Sequence, residues 1–596
     1  MKKRGIISKI RICAVFLFGL LSCLLLSACA REQAGADAGD SGNPVTVCLE
    51  QGRGFSAKSY IQTIEGEAEF QLRLQEDYEI TNCSYEDYSV EEADNGYTLL
   101  LLHNVKYPAR VTITCEIPEA IIYYDPNGGS FADTGSIQPL RFAYTPSAHY
   151  RINTLSGEEK ILREGYVMTG WNTKADGSGQ HIGLGSRITA EKNTQQYLYA
   201  EWEKAADAEY FEWEDTAEGI CLTRYSGGNT ASLVIPREIN GKTVTAIGEG
   251  FAQQISIERL VVPDSVLAIE NGAFRNCTIG QIYFSDTLQQ VSDASFEESR
   301  PAYWHINAAT RPRYQATSDI CVFADKMDLL LLHEEEKKLL LFSGCSMNYG
   351  MDSQLLAEAY PDYTVLNLGA VGGTNAQFQL EIILQYIHSG DIFIHAPEEG
   401  SPYQLMSVTD CENRMFIAVE GNYDLLAAVD MTTLGDGAFD SFREYNEKRS
   451  SIDPCTYEDR YIPVNGYGDN DSERIASNKA RFDEEYGLHP EYITEDGLNV
   501  LCSYYDRIRE AGASVYLSYA PINALCCSRE EISDFSAAWE QGMQARGYET
   551  ISKLQDYVME AENFYDADYH LTTAGAAART ERLIEDLAFL KQSGEL

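Results

Sequence analysis

Between residues 44 and 118 apolar and polar positions alternate with a period of two. Glu69-Phe70-Gln71-Leu72-Arg73-Leu74 and Ala109-Arg110-Val111-Thr112-Ile113-Thr114 show it most plainly, with the apolar run Leu99–Leu102 between them. Successive side chains of a strand point to opposite faces, so this period predicts half-buried strands, and the Asp/Asn/Gly-rich breaks make the segment a small all-β module. Residues 119–204 carry further strands. Ile121-Ile122-Tyr123-Tyr124-Asp125 runs into the turn Pro126-Asn127-Gly128-Gly129, and Gly170-Trp171-Asn172-Thr173 and Tyr197–Trp202 follow. Trp171 and Trp202 are expected in the core of this second module. Residues 205–300 repeat. Ile247, Ile269 and Val291 stand 22 residues apart, and Phe251, Phe274 and Phe296 keep nearly the same spacing. Such a period predicts a short solenoid whose units bury their apolar faces only by stacking, with residues 205–229 as its opening cap. From about residue 305 to 596 short apolar runs (Lys338–Phe342, Val365–Leu368, Ile392–Ile394, Val515–Ser518) alternate with helical stretches (Ser353–Ala359, Ala376–Ile387, Ala574–Leu590). That alternation predicts a parallel sheet covered on both faces, with ligands beyond the carboxyl ends of its strands. The expected fold is multidomain: N-terminal all-β modules and a short repeat solenoid, then a C-terminal α/β three-layer domain.

The amino terminus changes the setting. Lys2, Lys3, Arg4, Lys9 and Arg11 lead into an apolar run from Ile12 to Leu26, about 15 residues, short for a membrane span of ~20. Leu26-Ser27-Ala28-Cys29 resembles the lipobox of bacterial lipoproteins. The resemblance implies a signal peptide at 1–28, cleavage before a lipid-bearing Cys29 and attachment to the outer face of the membrane. Residues 29–43, small and polar, suit a flexible tether. The charge fits an exposed location. Ninety-one acidic residues stand against 46 basic ones, a formal net charge of −45. Such a field repels phosphate backbones, so no nucleic-acid partner is expected. Of 15 cysteines, those from Cys48 onward show neither a CxxC pair nor metal-ligand spacing. Cys48, Cys83 and Cys115 could pair in an exported protein, and buried free thiols are an equal reading.

The order YxPNGG, GWNT, a Gly177/Gly179 turn and LYAEW over 119–204 resembles the Listeria–Bacteroides repeat, the internalin-type B-repeat, which implies an extracellular spacer or adhesion module. The pattern of Ile235-Pro236, Ile247-Gly248 and Gly272-Ala273-Phe274 with Asn276-Cys277 resembles BspA-like leucine-rich repeats. Both resemblances imply a surface protein with a glycan or surface-protein ligand.

The strand ends of the C-terminal domain carry hydroxyl, imidazole, carboxylate and glycine-flanked amides: Gly344-Cys345-Ser346, Gly369, Asn375, His395 with Glu398, and Asp566 to His570. These are the parts of acyl transfer. The arrangement over roughly 335–592 resembles the SGNH/GDSL hydrolase superfamily. The resemblance makes Ser346 the nucleophile, His570 its base, the amides of Ser346 and Gly369 the oxyanion donors, and an O-acylated envelope or environmental glycan the substrate. It departs from the family in three places. GDS reads Gly344-Cys345-Ser346. The position three before His570 is Ala567, so Asp566 or Asp568 must orient the ring, Asp566 being favoured. The third-block Asn is missing, leaving Asn375 or Glu398 in its place. No metal and no cofactor are expected. Two readings stand: a lipid-anchored serine esterase or acyl-transfer protein, and an adhesion or scaffold protein with an inactive SGNH-like domain. The acidic, Tyr-rich stretch 400–500 is read as a substrate wall or a solvated cover. The oligomeric state stays open.

Overall fold

Alternation in the first module does what the period of two requires. In the computed structural model, which describes residues 44–593 apart from residue 54 and stretches 75–77, 94–96, 117–119, 145–150, 191–193, 315–317, 408–411, 454–463 and 476–487, Gly66–Leu74 pairs antiparallel with Thr98–Val105. Ala68, Phe70 and Leu72 are buried with Leu100 and Leu102, while Glu69 and Arg73 face out. The signal segment, Cys29 and the tether lie outside the described residues. Cys83 and Cys115 are buried free thiols. The chain forms two compact units, the first built on residues up to Ile121, the second on most of the rest.

The second unit begins with the Trp-rich module. Tyr166–Asn172 pairs antiparallel with Gln195–Lys204, Trp171 opposite Ala200. Trp171 is buried, edge-on to Tyr124 at 4.9 Å between centroids, and its indole donates to the Leu155 carbonyl. Trp202 lies over the Pro126–Gly129 turn and donates to the Pro126 carbonyl at 3.0 Å. A side chain at Gly129 would enter the Trp202 ring, so the second glycine of the pair is required by packing.

The solenoid follows. Strands β1 (Thr230–Val234), β2 (Ser256–Val261), β3 (Thr278–Ser285) and β4 (Tyr303–Asn307) form a parallel ladder, with Leu233, Leu260, Ile282 and Trp304 in register. Phe251, Phe274 and Phe296 stack beneath it, Phe274 and Phe296 nearly parallel at 5.3 Å. The hairpin of Phe211–Asp215 with Ile220–Tyr225 occupies the opening position. The ladder runs one strand past residue 300. The last rung, β4, carries none of the repeated residues, and its Trp304 is covered by Phe439 at 4.1 Å.

The C-terminal sheet comprises β5 (Lys338–Phe342), β6 (Thr364–Asn367), β7 (Ile392–His395) and β8 (Ser514–Leu517), all parallel, in the order β6-β5-β7-β8. Alternate residues of one strand serve two cores. Leu340 and Phe342 pack toward the solenoid side, whereas Leu339 and Leu341 pack with Leu356, Leu583 and Leu587. A sheet buried on both faces needs uniformly apolar strands, which is why β5 reads KLLLF. The described part of the acidic stretch 400–500 differs from a solvated cover. Phe416, Phe439, Phe442 and Tyr445 are fully buried, and they join the solenoid core to the sheet. Its charges are matched rather than solvated: Glu420 accepts from Arg449, which also meets Asp286 of the solenoid at 3.0 Å.

Candidate active site

The sheet order places one crevice ahead of others. Chain connections leave β5 in opposite directions, to β6 on one side and toward β7 on the other, and such a switch point opens a cleft at the carboxyl ends. Ser346 follows β5 and Glu398 follows β7, so both stand at it.

Ser346 lies in α1 (Cys345–Asn348), a single helical turn, and is 0% exposed. Its hydroxyl is 3.2 Å from that of Ser343. Its amide donates to Glu398 Oε1 at 2.7 Å, and the Cys345 thiol donates to the same oxygen at 3.3 Å. Burial raises the Glu398 carboxyl above the usual carboxylate range; the Ser346 amide, the Cys345 thiol and the charge of His570 act against that rise. Burial, reinforced by Glu398, holds the Cys345 thiol protonated. Gly344 and Gly372 form the walls of this slot, and a methyl group on either would overlap the Glu398 carboxyl.

His570 and Asp566 sit before α3 (Thr573–Ser593), the closing helix that follows α2 (Ala376–Ile383) in this crevice. His570 Nδ1 and Asp566 Oδ1 are 2.7 Å apart, and this hydrogen bond holds the Asp566 carboxyl below its ordinary value. The ring stacks on Tyr349, centroids 4.0 Å apart and planes 13° from parallel. Tyr349 ends the same turn that holds Ser346, so the imidazole packs against that turn. No hydrogen bond joins the imidazole to the Ser346 hydroxyl. Asp568 is turned to another partner, accepting from the Cys526 thiol at 3.3 Å.

Two of the three expected oxyanion donors, the Ser346 amide on Glu398 and the Gly369 amide, are engaged elsewhere. The Gly369 amide donates to Asn367 Oδ1 at 2.9 Å, because β6 ends in an Asn that closes the loop back on itself. Asn375 caps α2, its side-chain oxygen accepting from Gln377. The glycine bordering the slot is Gly372, in the same loop.

Other residues were invisible as site residues in the sequence. Arg579, buried in α3, donates to the Ser346 carbonyl at 2.7 Å and to the Tyr519 carbonyl at 3.2 Å, with its pKa pulled down to about 10 by burial. Behind the turn, Asn367 donates to the Met347 carbonyl and to Asp469, and Asp469 accepts from both the amide and hydroxyl of Ser353. Lys326, fully buried beside this network, is lowered to about 7 by burial. These contacts tie the Ser346 turn to β6, the Ser353 helix start and α3.

His395 accepts or donates at 2.6 Å with the Tyr505 hydroxyl and is pushed down to about 3 by burial, as a structural histidine. Glu399 beside it is raised to about 8 by burial. These shifts have opposite consequences. Below pH 6.5 the unfolded chain protonates His395 and the native chain does not until about 3, so stability falls as pH drops across that window. Between 4.5 and 8 the native chain holds the Glu399 proton that the unfolded chain releases, so stability falls as pH rises there. His395→Asn is expected to flatten the acid limb below pH 4.5, and Glu399→Gln the limb from 6.5 to 8. Urea midpoints measured against pH check both, and a variant slope parallel to wild type would refute its assignment.

Residues 241–313 match the family model described as BspA type leucine rich repeat region (6 copies), over the solenoid just described. Over that stretch, and not over the chain as a whole, the protein is similar to BspA-type leucine-rich repeats. No curated protein and no solved structure matches the chain. Among the described residues no helix is long and apolar enough to cross a membrane.

Proposed function

We propose that the protein displays an SGNH-like serine hydrolase domain at a bacterial surface, tethered through lipid on Cys29 and carried behind a Listeria–Bacteroides-type module and the leucine-rich repeats. The reaction is hydrolysis or transfer of an O-acyl group, with an O-acylated glycan as substrate class. The observation that carries this reading is the meeting, at one switch-point crevice, of the Ser346 turn with the Asp566–His570 pair through Tyr349. In the proposed mechanism His570 takes the Ser346 proton as its hydroxyl attacks the ester carbonyl, and Asp566 orients the ring and stabilises the imidazolium. With Glu398 moved off it, the Ser346 amide holds the oxyanion. His570 then passes the proton to the departing alcohol as the ester C–O bond breaks, which leaves an acyl–serine. Water or an acceptor hydroxyl, deprotonated by His570, cleaves it to restore Ser346. The absence of a Ser346–His570 hydrogen bond matches a resting site whose catalytic contacts tighten with substrate.

A fluorophosphonate probe with the full chain tests the reading. Covalent labelling at Ser346, lost in Ser346→Ala, is the expected result. No labelling favours the second reading, a surface adhesion protein with a silent domain. The specific observation on that side is Glu398, whose carboxyl occupies the amide an oxyanion needs.

A further inference from the structure

The geometry points to the slot beside Ser346 as a carboxylate-binding site that the protein fills with its own Glu398. Four observations meet there. The Glu398 side chain is buried, with its Oε1 on the Ser346 amide at 2.7 Å. The Cys345 thiol donates to that same oxygen. Gly344 and Gly372, on two different loops, border the carboxyl so closely that a methyl group on either would overlap it. The segment after Glu398 is tied down, Ser401 Oγ donating to the Gly372 carbonyl and the Gly400 amide to the Tyr569 hydroxyl, which anchors the backbone that carries the carboxyl.

Donor geometry that suits a planar carboxylate also suits the oxygen of an ester as it turns tetrahedral. The slot therefore takes acyl compounds, and a free carboxylate competes for it as a product would. Glu398 is its internal occupant, and the site opens when that side chain leaves. Naming the ester rests on the hydrolase reading above; occupancy by a carboxylate does not.

The test uses the full chain and reads Cys345, whose reactivity does not depend on hydrolysis. Iodoacetamide alkylation is followed by peptide mass spectrometry in wild type, Glu398→Ala and Glu398→Gln. Removing the carboxylate, which adds to burial in holding the thiol protonated and which engages the thiol directly, is expected to speed Cys345 alkylation at least about tenfold in both variants. Acetate is expected to slow it again in Glu398→Ala, where the slot is empty. Acetate has no effect in Glu398→Gln, where the carboxamide fills the slot, nor in wild type. Acetamide protects none of them. Should Glu398→Ala fail to fold, the Glu398→Gln rate alone decides. Alkylation at the wild-type rate in the variants, or acetate without effect on a folded Glu398→Ala, overturns the assignment. Fluorophosphonate labelling of the same variants separates the two ideas. Cys345 exposed and acetate-protected with Ser346 unlabelled sinks the hydrolase reading and leaves the slot standing, whereas Ser346 labelled equally fast in all three proteins removes Glu398 as its occupant.

Discussion

Ser346→Ala and His570→Ala each lower the turnover of an aryl acetate by at least about 10⁴-fold, and the double variant loses no more than either single one, because nucleophile and base act as a unit. The loss is expected in kcat. Neither side chain holds the ground-state ester, so KM changes little. Asp566→Asn costs less, about 10²-fold. Its side chain is half exposed, and water takes over part of the stabilisation that a buried carboxylate would supply alone. Steady-state kinetics on the full chain measure all four variants. Equal rates for wild type and Ser346→Ala would remove Ser346 from the chemistry, and additive losses in the double variant would remove its partnership with His570.

The pairing of Asp566 with His570 was legible because both lie in one short loop, four residues apart, where few geometries are open. The choice among the glycines of the β6 loop was not. Gly369, Gly372 and Gly373 are equivalent on paper, and only the Asn367 side chain, which claims the Gly369 amide, separates them. Glu398 was legible as a strand-end carboxylate, and its burial was not, since an acid after a strand is usually solvated. The solenoid could be read from three phenylalanines at a fixed spacing. Its fourth rung could not, because Tyr303–Asn307 is defined by what it stacks on, not by a repeated residue. Acidic composition hid the buried aromatic layer at Phe416, Phe439 and Phe442. Average charge over a long stretch says nothing about which positions face inward, and the helix Ala438–Arg449 buries its rings Phe439, Phe442 and Tyr445, with Arg449 paired among them, while Glu444, Glu447 and Lys448 stay outside.

Arg187→Met destabilises the second unit by about 3–5 kcal/mol, more than any loss of a surface charge. Arg187 leaves the Trp-rich module with no exposed side-chain area and reaches the helix Val322–Leu332 that leads into the sheet. There its guanidinium meets Asp325 Oδ1 at 2.9 Å and also Asp328. Arg151 supports Asp328 from the same module at 2.9 Å. The cost is one of isolation. Both carboxylates are desolvated, their side chains only 1% and 5% exposed, and removing the cation leaves charge where water cannot reach it. Removing the charge as well should return stability, so Arg187→Met with Asp325→Leu is expected nearer to wild type than Arg187→Met alone. Urea denaturation of the full chain measures this. A double variant as unstable as the sum of its singles would mean that Arg187 contributes through packing and not through its charge.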